Sequence, residues 1–442
     1  MRKSALAGQL LLLLLAQACP AGEKVREPDA GSAVCDGSAS CVWECPPDTE
    51  IDLCGECAGE NRSKDCRGIC YGPARVDECG FCTDAPTLDC DPPVVLTALQ
   101  AGDDDHFGES VSLDGDTALI GAVYDGAGGE KSGAAYVFIR DPGGWRLQQK
   151  LVADDAKAGD SFGYAVAVDG DTALVGAYSD DDYGQNRGSV YVFERRANQW
   201  EQQVELAPPE EAGELYYFGV ATALDRDTAL IGARRYQAEV VVEEEDCYSG
   251  SAFAYAREAN GWQLQDVLEG AESSGCDRFG DKVAVQDDTA VVGAPAYWAY
   301  PEVGAVPASA YVFTRQGGRW SEQARLMPDS RIVGVKLGSS VAIDGETVIV
   351  GAPLAEQTDR YQGSAYVFTR DSGAWNLQIR LLASDPAAGS FFGTAVDVKG
   401  DIAVVGAPFG DPAEGSRSGA AYVFVRNGSE WTQRAKLMDL VR

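Results

Sequence analysis

Phe162-Gly-Tyr-Ala-Val-Ala-Val-Asp-Gly-Asp-Thr-Ala-Leu-Val-Gly-Ala177 sets two apolar runs on either side of an Asp-Gly pair. Asp-Gly between alternating apolar runs is the strongest short hairpin signal, so residues 164–168 and 172–177 read as antiparallel strands. Outward from this hairpin, residues 189–193 alternate again, and residues 200–206 form a more polar fourth strand that begins at Trp200. The same phrase occurs six times. Its Phe-Gly opens at Phe107, Phe162, Phe218, Phe279 and Phe392, with Leu337-Gly338 in the fifth slot, at intervals of 55 to 61 residues. Helical periodicity is absent. A fixed period of this length marks a solenoid, propeller or array, and four up-and-down strands with a polar outer one make a propeller blade. Residues 94–442 are therefore predicted to be an all-β β-propeller of four-stranded blades. Six blades are predicted and seven is the alternative, because residues 94–99 read as a further fourth strand: Leu96 precedes Phe107 as Leu151 precedes Phe162.

Each recurring residue has a mechanical reading. Gly163 allows close backbone approach where a side chain would collide. Phe162 packs between blades, and Ala177 keeps the inner strands narrow. Trp145, Trp200, Trp262, Trp320, Trp375 and Trp431 recur once per blade, as inter-blade anchors. Phe392-Gly393 followed by Gly406-Ala407-Pro408 resembles the FG-GAP repeat, which builds the propeller of integrin α subunits. Residues 169–177 and 363–368 resemble its short-turn bacterial and protist relatives. The fifth copy departs at Leu337, and the first three carry Val123, Tyr178 and Arg234 in place of the proline. The resemblance implies adhesion or recognition at the cell exterior, and a ring closed by an N-terminal strand lent to the last blade.

The N-terminal part reads differently. Residues 1–18 carry a positive start, a short apolar middle and small residues at Ala16 and Ala18, the pattern of a secretory signal. Cleavage before Cys19 would suit lipidation, which makes Cys19 the candidate anchor. Residues 19–34 form a polar tether. Residues 35–93 hold ten cysteines and few long apolar residues, so disulfides must hold this small segment. Within it Cys54-Gly-Glu-Cys57 returns as Cys79-Gly-Phe-Cys82. The spacing also fits zinc, and the signal favours disulfides. Cys247 and Cys276 fall in loops of neighbouring copies and are predicted to pair.

The chain has 442 residues and a net charge of −33. Such a field repels phosphate backbones and anionic membranes, so no nucleic-acid partner is expected. Cations and basic protein surfaces suit it, and solubility alone is the plainer explanation. No segment is long and apolar enough to span a bilayer. The carboxylates gather in two loop sets on one face. One precedes each Phe-Gly (Asp103 to Asp105, Asp154, Asp155, Asp160, Glu210, Glu211, Glu272, Asp385) and the other follows each Gly-Ala (Asp125, Asp180 to Asp182, Glu243 to Asp246, Asp411). The turns Asp114-Gly115-Asp116 and its equivalents are too short to wrap a calcium ion. No metal site, cofactor or catalytic residue is assigned, and the lone histidine, His106, reads as a surface residue.

The sequence thus points to an exported, non-enzymatic scaffold, expected to be a monomer, that presents an acidic loop face to a protein or glycan partner. One alternative is a calcium-dependent binding module. Another is an extracellular hydrolase with an axial site, for which unlike polar residues must converge near the Phe-Gly ends. Arg234, Arg235 and Lys336 are the residues that break the pattern there.

Overall fold

The computed structural model describes residues 102–438 except 103, 142–143, 210–215, 236–248, 274–276, 297–307, 329–334, 356–360 and 412–417, together with Leu96 and four short strands near the N-terminus. The chain divides into two compact units, one of Gln17–Val95 and one containing Leu96–Arg442. In the first, Ala33–Cys35 pairs with Cys41–Trp43, and Arg75–Val76 pairs with Cys82–Thr83. The secretory signal, Cys19 and the cysteine pairings of residues 35–93 lie outside the described residues, as do Cys247 and Cys276.

The second unit is a six-bladed β-propeller. Each blade is one four-stranded antiparallel sheet in simple sequential order. Blade 2 shows the pattern: Phe162–Asp169, Thr172–Ala177, Ser189–Arg196 and Gln199–Leu206. The second strand of blades 1, 2, 4 and 5 is fully buried, as are residues 228–233 of blade 3, because it lies mid-blade between two neighbouring sheets. The fourth strand alternates toward solvent, as its polar sequence requires. Five apolar clusters join consecutive blades, from blade 1–2 to blade 5–6. Phe162, Phe218, Phe279 and Phe392 lie at equivalent places in these clusters at 0–1% exposure, and Leu337 takes the same place at 0%. The aliphatic departure therefore preserves the packing.

The glycines of Phe-Gly and Gly-Ala serve one another. A Cβ on Gly121 would lie 1.9 Å from the carbonyl oxygen of Gly163, and one on Gly351 would lie 2.0 Å from that of Gly393. The same holds between Gly176 and Gly219, Gly232 and Gly280, and Gly293 and Gly338. The close approach is thus between backbones of adjacent blades.

Three polar links repeat at the same junctions. The amide in each first turn donates to the side chain that ends the preceding blade's first strand: Gly170 to Asp114, Arg226 to Asp169, Asp287 to Asp225, Gly345 to Gln286 and Gly400 to Asp344. An arginine stacked over its own blade's tryptophan, such as Arg195 at 5.1 Å from the Trp200 ring, donates to a threonine of the preceding blade. This link recurs as Arg257–Thr172, Arg315–Thr228 and Arg426–Thr347. The indole N–H of Trp200, Trp320, Trp375 and Trp431 donates to Gln148, Gln265, Gln323 and Gln378 respectively. The blade 4–5 junction departs once: Arg370 turns both arms onto Glu346 and does not reach Thr289. A cleft of about 350 Å³ opens there, lined by Thr289, Gln316, Glu346 and Arg370.

Blade 6 ends the series. At the three acceptor positions it carries Lys399, Ile402 and Arg434 in place of the carboxylate or amide, the threonine and the glutamine. None of them accepts a hydrogen bond. A Cβ on Gly406 would have its three nearest atoms on Ala395 of its own blade, at 3.4 Å and beyond. On the other side of this junction Phe107 is only half-buried. Leu96 packs with Phe107, Ala118, Ile120 and Tyr136, as Leu151 packs with Phe162, Ala173, Val175 and Tyr191. The resemblance to integrin-type rings implies that an N-terminal strand completes the last blade. Here Glu430–Met438 completes it, and Leu96 packs against blade 1. Local stability follows packing, so native-state hydrogen exchange should find blade 6 opening at lower free energy than blades 3 and 4. Equal protection of residues 403–405 and 290–292 would refute this.

Candidate functional site

In each blade the first strand begins, and the second ends, at one end of the ring. Backbone hydrogen bonds tie the two loop sets together there: Tyr124 N to Asp105 O, Ser179 N to Asp160 O, Ala296 N to Asp277 O, Leu354 N to Val335 O and Phe409 N to Ser390 O. The loops so joined differ from blade to blade in length and sequence.

The loop carboxylates, those named from the sequence together with Asp277 and Glu130, divide into two groups. Asp125, Asp180, Asp160 and Asp277 are buried, at 1–6% exposure. Asp125 accepts the Tyr136 hydroxyl at 2.5 Å and the Lys150 ammonium at 2.7 Å. Asp180 accepts the Tyr191 hydroxyl at 2.7 Å and the Asp182 amide at 2.8 Å. Burial pushes the Asp180 and Asp160 carboxyls up from the ordinary value, against the lowering effect of the Tyr191 hydroxyl on Asp180 and of the Lys157 amide on Asp160. These acids hold loops together. Asp154, Asp155 and Glu130 are exposed. Glu272 and Asp385 are paired, with Arg325 and Lys436 at 2.6 Å. The acids of 243–246 and the Asp411 side chain lie outside the described residues. The first-turn acids are also engaged, as in Asp116 with Arg140 at 2.7 Å. Among the described residues no group of three or more His, Cys, Asp or Glu is arranged to hold a metal.

Nearer the centre, at the Phe-Gly and Gly-Ala corners, unlike side chains converge. Tyr164 and Tyr178 of blade 2 stand 4.3 Å apart, and Tyr178 stands 5.4 Å from Tyr217 of blade 3. The Arg234 guanidinium lies 5.7 Å over the Tyr217 ring and pairs with Asp281 of blade 4 at 2.9 Å. Burial works against the Arg234 charge, but Asp281 and the nearby tyrosines outweigh it and hold this arginine above its usual value. Its Nε is buried without a hydrogen-bond partner among the described residues. Lys336 of blade 5 is half-buried; burial first, and the neighbouring Arg278 second, pull its ammonium below the usual lysine value, while Asp281 opposes them. His106 and Tyr124 of blade 1 stand 4.4 Å apart at the far side of the tyrosine row. Tyr124 is raised by burial and then by Tyr178, Glu109 and Tyr164.

The structure therefore brings Arg234 and Lys336 into one neighbourhood through Asp281; the Arg235 side chain lies outside the described residues. Sequence reading missed Tyr164, Tyr217, Arg278 and Asp281 as members. Their signal was present: each flanks a Phe-Gly pair, where the copies differ most. His106, Ser161, Arg278, Lys336 and Phe391 all precede that pair with φ between +53° and +61°. Such values are disfavoured for residues with a side chain.

The FG-GAP repeat pattern matches residues 94–138, 145–193, 262–313, 320–368 and 375–424. The third copy, which carries Tyr217 and Arg234, is not among the matched stretches. No curated protein matches the chain. Among solved structures, Sqt1 of Saccharomyces cerevisiae is 12% identical, with 74% of this chain and 84% of that one covered and a TM-score of 0.39. A putative 6-phosphogluconolactonase from Bacteroides uniformis is 10% identical, with 75% and 85% covered and a TM-score of 0.47. Likeness this distant carries nothing about activity. The matched repeats span more than half of the chain, on six blades built to one pattern, and the chain belongs to the FG-GAP repeat family.

Proposed function

We propose that this protein is an exported, non-enzymatic binding or adhesion scaffold whose loop face meets a protein or glycan outside the cell. FG-GAP propellers are in general binding scaffolds of extracellular or surface proteins, and variable loops on a rigid frame are where recognition resides. The observation that carries the reading is the loop face itself. Blades 1, 2, 4, 5 and 6 join their two loops by the same backbone bond, yet fill them with different residues. The exposed acids Asp154, Asp155 and Glu130 belong to the outer part of that face and favour a basic partner. Residues 1–18 act as the export signal, Cys19 as a lipid anchor or free end, and residues 35–93 as a disulfide-held spacer.

Binding of the full-length protein to arrayed extracellular proteins and glycans tests this. Asp154→Asn/Asp155→Asn and Glu130→Gln should weaken the strongest hits severalfold, and raised salt should do the same. Hits unaffected by both changes would remove the acidic face from the reading.

A further inference from the structure

We propose that the centre of the loop face is a binding site for a carboxylated sugar. Tyrosines of blades 2 and 3 line one side, and Arg234, Arg278 and Lys336 lie on the other. This deepens the scaffold reading and rests on it.

Charge is the first argument. The chain carries a net charge of −33, yet cations from three consecutive blades stand at this end: Arg234 pairs with Asp281, and Arg278 and Lys336 occupy equivalent corners of blades 4 and 5, directly before Phe279 and Leu337. Lys336 makes no ion pair among the described residues. A half-buried ammonium beside an arginine is unfavourable on its own, and an anion between them removes the penalty. Arg234 adds a buried N–H that has no acceptor among the described residues. A guanidinium offers a planar fork of donors that matches a carboxylate.

Shape is the second argument. Tyr164, Tyr178 and Tyr217 succeed one another at 4.3 and 5.4 Å, and all are partly accessible. Tyrosine combines an apolar ring with a polar tip. A row of such rings suits the C–H face of a pyranose, with hydroxyl groups left to bond at the rim. One ligand class satisfies both halves: a pyranose whose ring carries a carboxylate.

Backbone conformation is the third. Lys336 and Arg278 are held at φ of +53° and +55°, positions that glycine would occupy without strain. His106, Ser161 and Phe391 share this φ at the same position, so the conformation belongs to the repeat, and what sets blades 4 and 5 apart is that a cation stands there.

The test uses the full-length protein and three probes: methyl β-D-glucuronide, its carboxyl-reduced counterpart methyl β-D-glucoside, and glucose 6-sulfate, each followed by saturation-transfer NMR and tyrosine fluorescence. The glucuronide should bind, and the glucoside should bind at least tenfold more weakly. Lys336→Met and Tyr178→Ala should each weaken the glucuronide about tenfold while thermal melting stays at the wild-type temperature. Equal binding of glucoside and glucuronide, stronger binding of the sulfate, or no binding of the glucuronide would overturn the proposal. If Lys336→Met keeps its array partners in the same experiment, the scaffold reading stands without this site; if wild type has no partner either, both readings fail.

Discussion

Gly351→Ala is expected to destabilise the propeller by about 3 kcal/mol, and Gly406→Ala, the same substitution at the equivalent position one blade later, by almost nothing. The added methyl at Gly351 would stand 2.0 Å from the Gly393 carbonyl oxygen. No rotamer relieves a contact between a Cβ and a backbone. Two sheets must separate, and overpacking of this kind costs roughly 1–3 kcal/mol or more. At Gly406 the nearest atom is 3.4 Å away, within the same blade. There alanine should even reduce the entropy lost on folding. Urea denaturation of the two variants decides the matter. Similar losses at both positions would mean that blade 6 packs its trailing face as the other blades do. The meaning of Lys399, Ile402 and Arg434 would then have to be sought elsewhere.

Tyr191→Phe should destabilise by about 1–3 kcal/mol at neutral pH, and by less at about pH 4.5. The hydroxyl donates to Asp180 at 2.7 Å, and Asp180 is 2% exposed. Burial raises the Asp180 carboxyl above 3.8, and the Tyr191 bond partly offsets that rise. A carboxyl raised in the folded state contributes stability that is complete below its unfolded value and is lost as pH rises through its folded value. Removing the hydroxyl raises the folded value further, so the loss in the variant grows from mild acid to neutrality. Asp160, Glu205 and Asp397 are raised by burial in the same sense. The wild type should therefore melt higher in mild acid than at neutral pH. Asp344 and Glu346 are lowered by their bonds to Lys399 and Arg370. Their contribution is lost only as pH falls through those lowered values, so the two trends do not overlap above about pH 4.5. Chemical denaturation of both proteins at pH 4.5 and 7 is the measurement, and an unchanged difference would show that Asp180 does not depend on Tyr191.

The architecture was legible because it is periodic. Alternation gives a strand, Asp-Gly gives a hairpin, and a 55-residue recurrence gives a blade, so local rules repeated six times settle a global shape. Even Leu337 could be placed in its slot before its packing was seen. The candidate site was legible only as deviations: Arg234, Arg235 and Lys336 broke the pattern, and nothing in the linear order said that they lie near one another. The acids misled more than they helped, since Asp125 and Asp180 in the sequence look like any loop carboxylate and in the fold are buried anchors for Tyr136 and Tyr191.

What the residues alone determined is the unit: four strands, their turns, and the small and aromatic side chains that let one sheet stack on the next. What only the tertiary structure decided is which unlike residues of different copies meet, and that Asp344 accepts from the next blade while Lys399 offers no acceptor to blade 1. The physical reason is range. Strand and turn depend on neighbours a few positions away, which the repeat presents six times over. A site between blades depends on side chains some 50 to 100 positions apart, brought together by the closing of a ring.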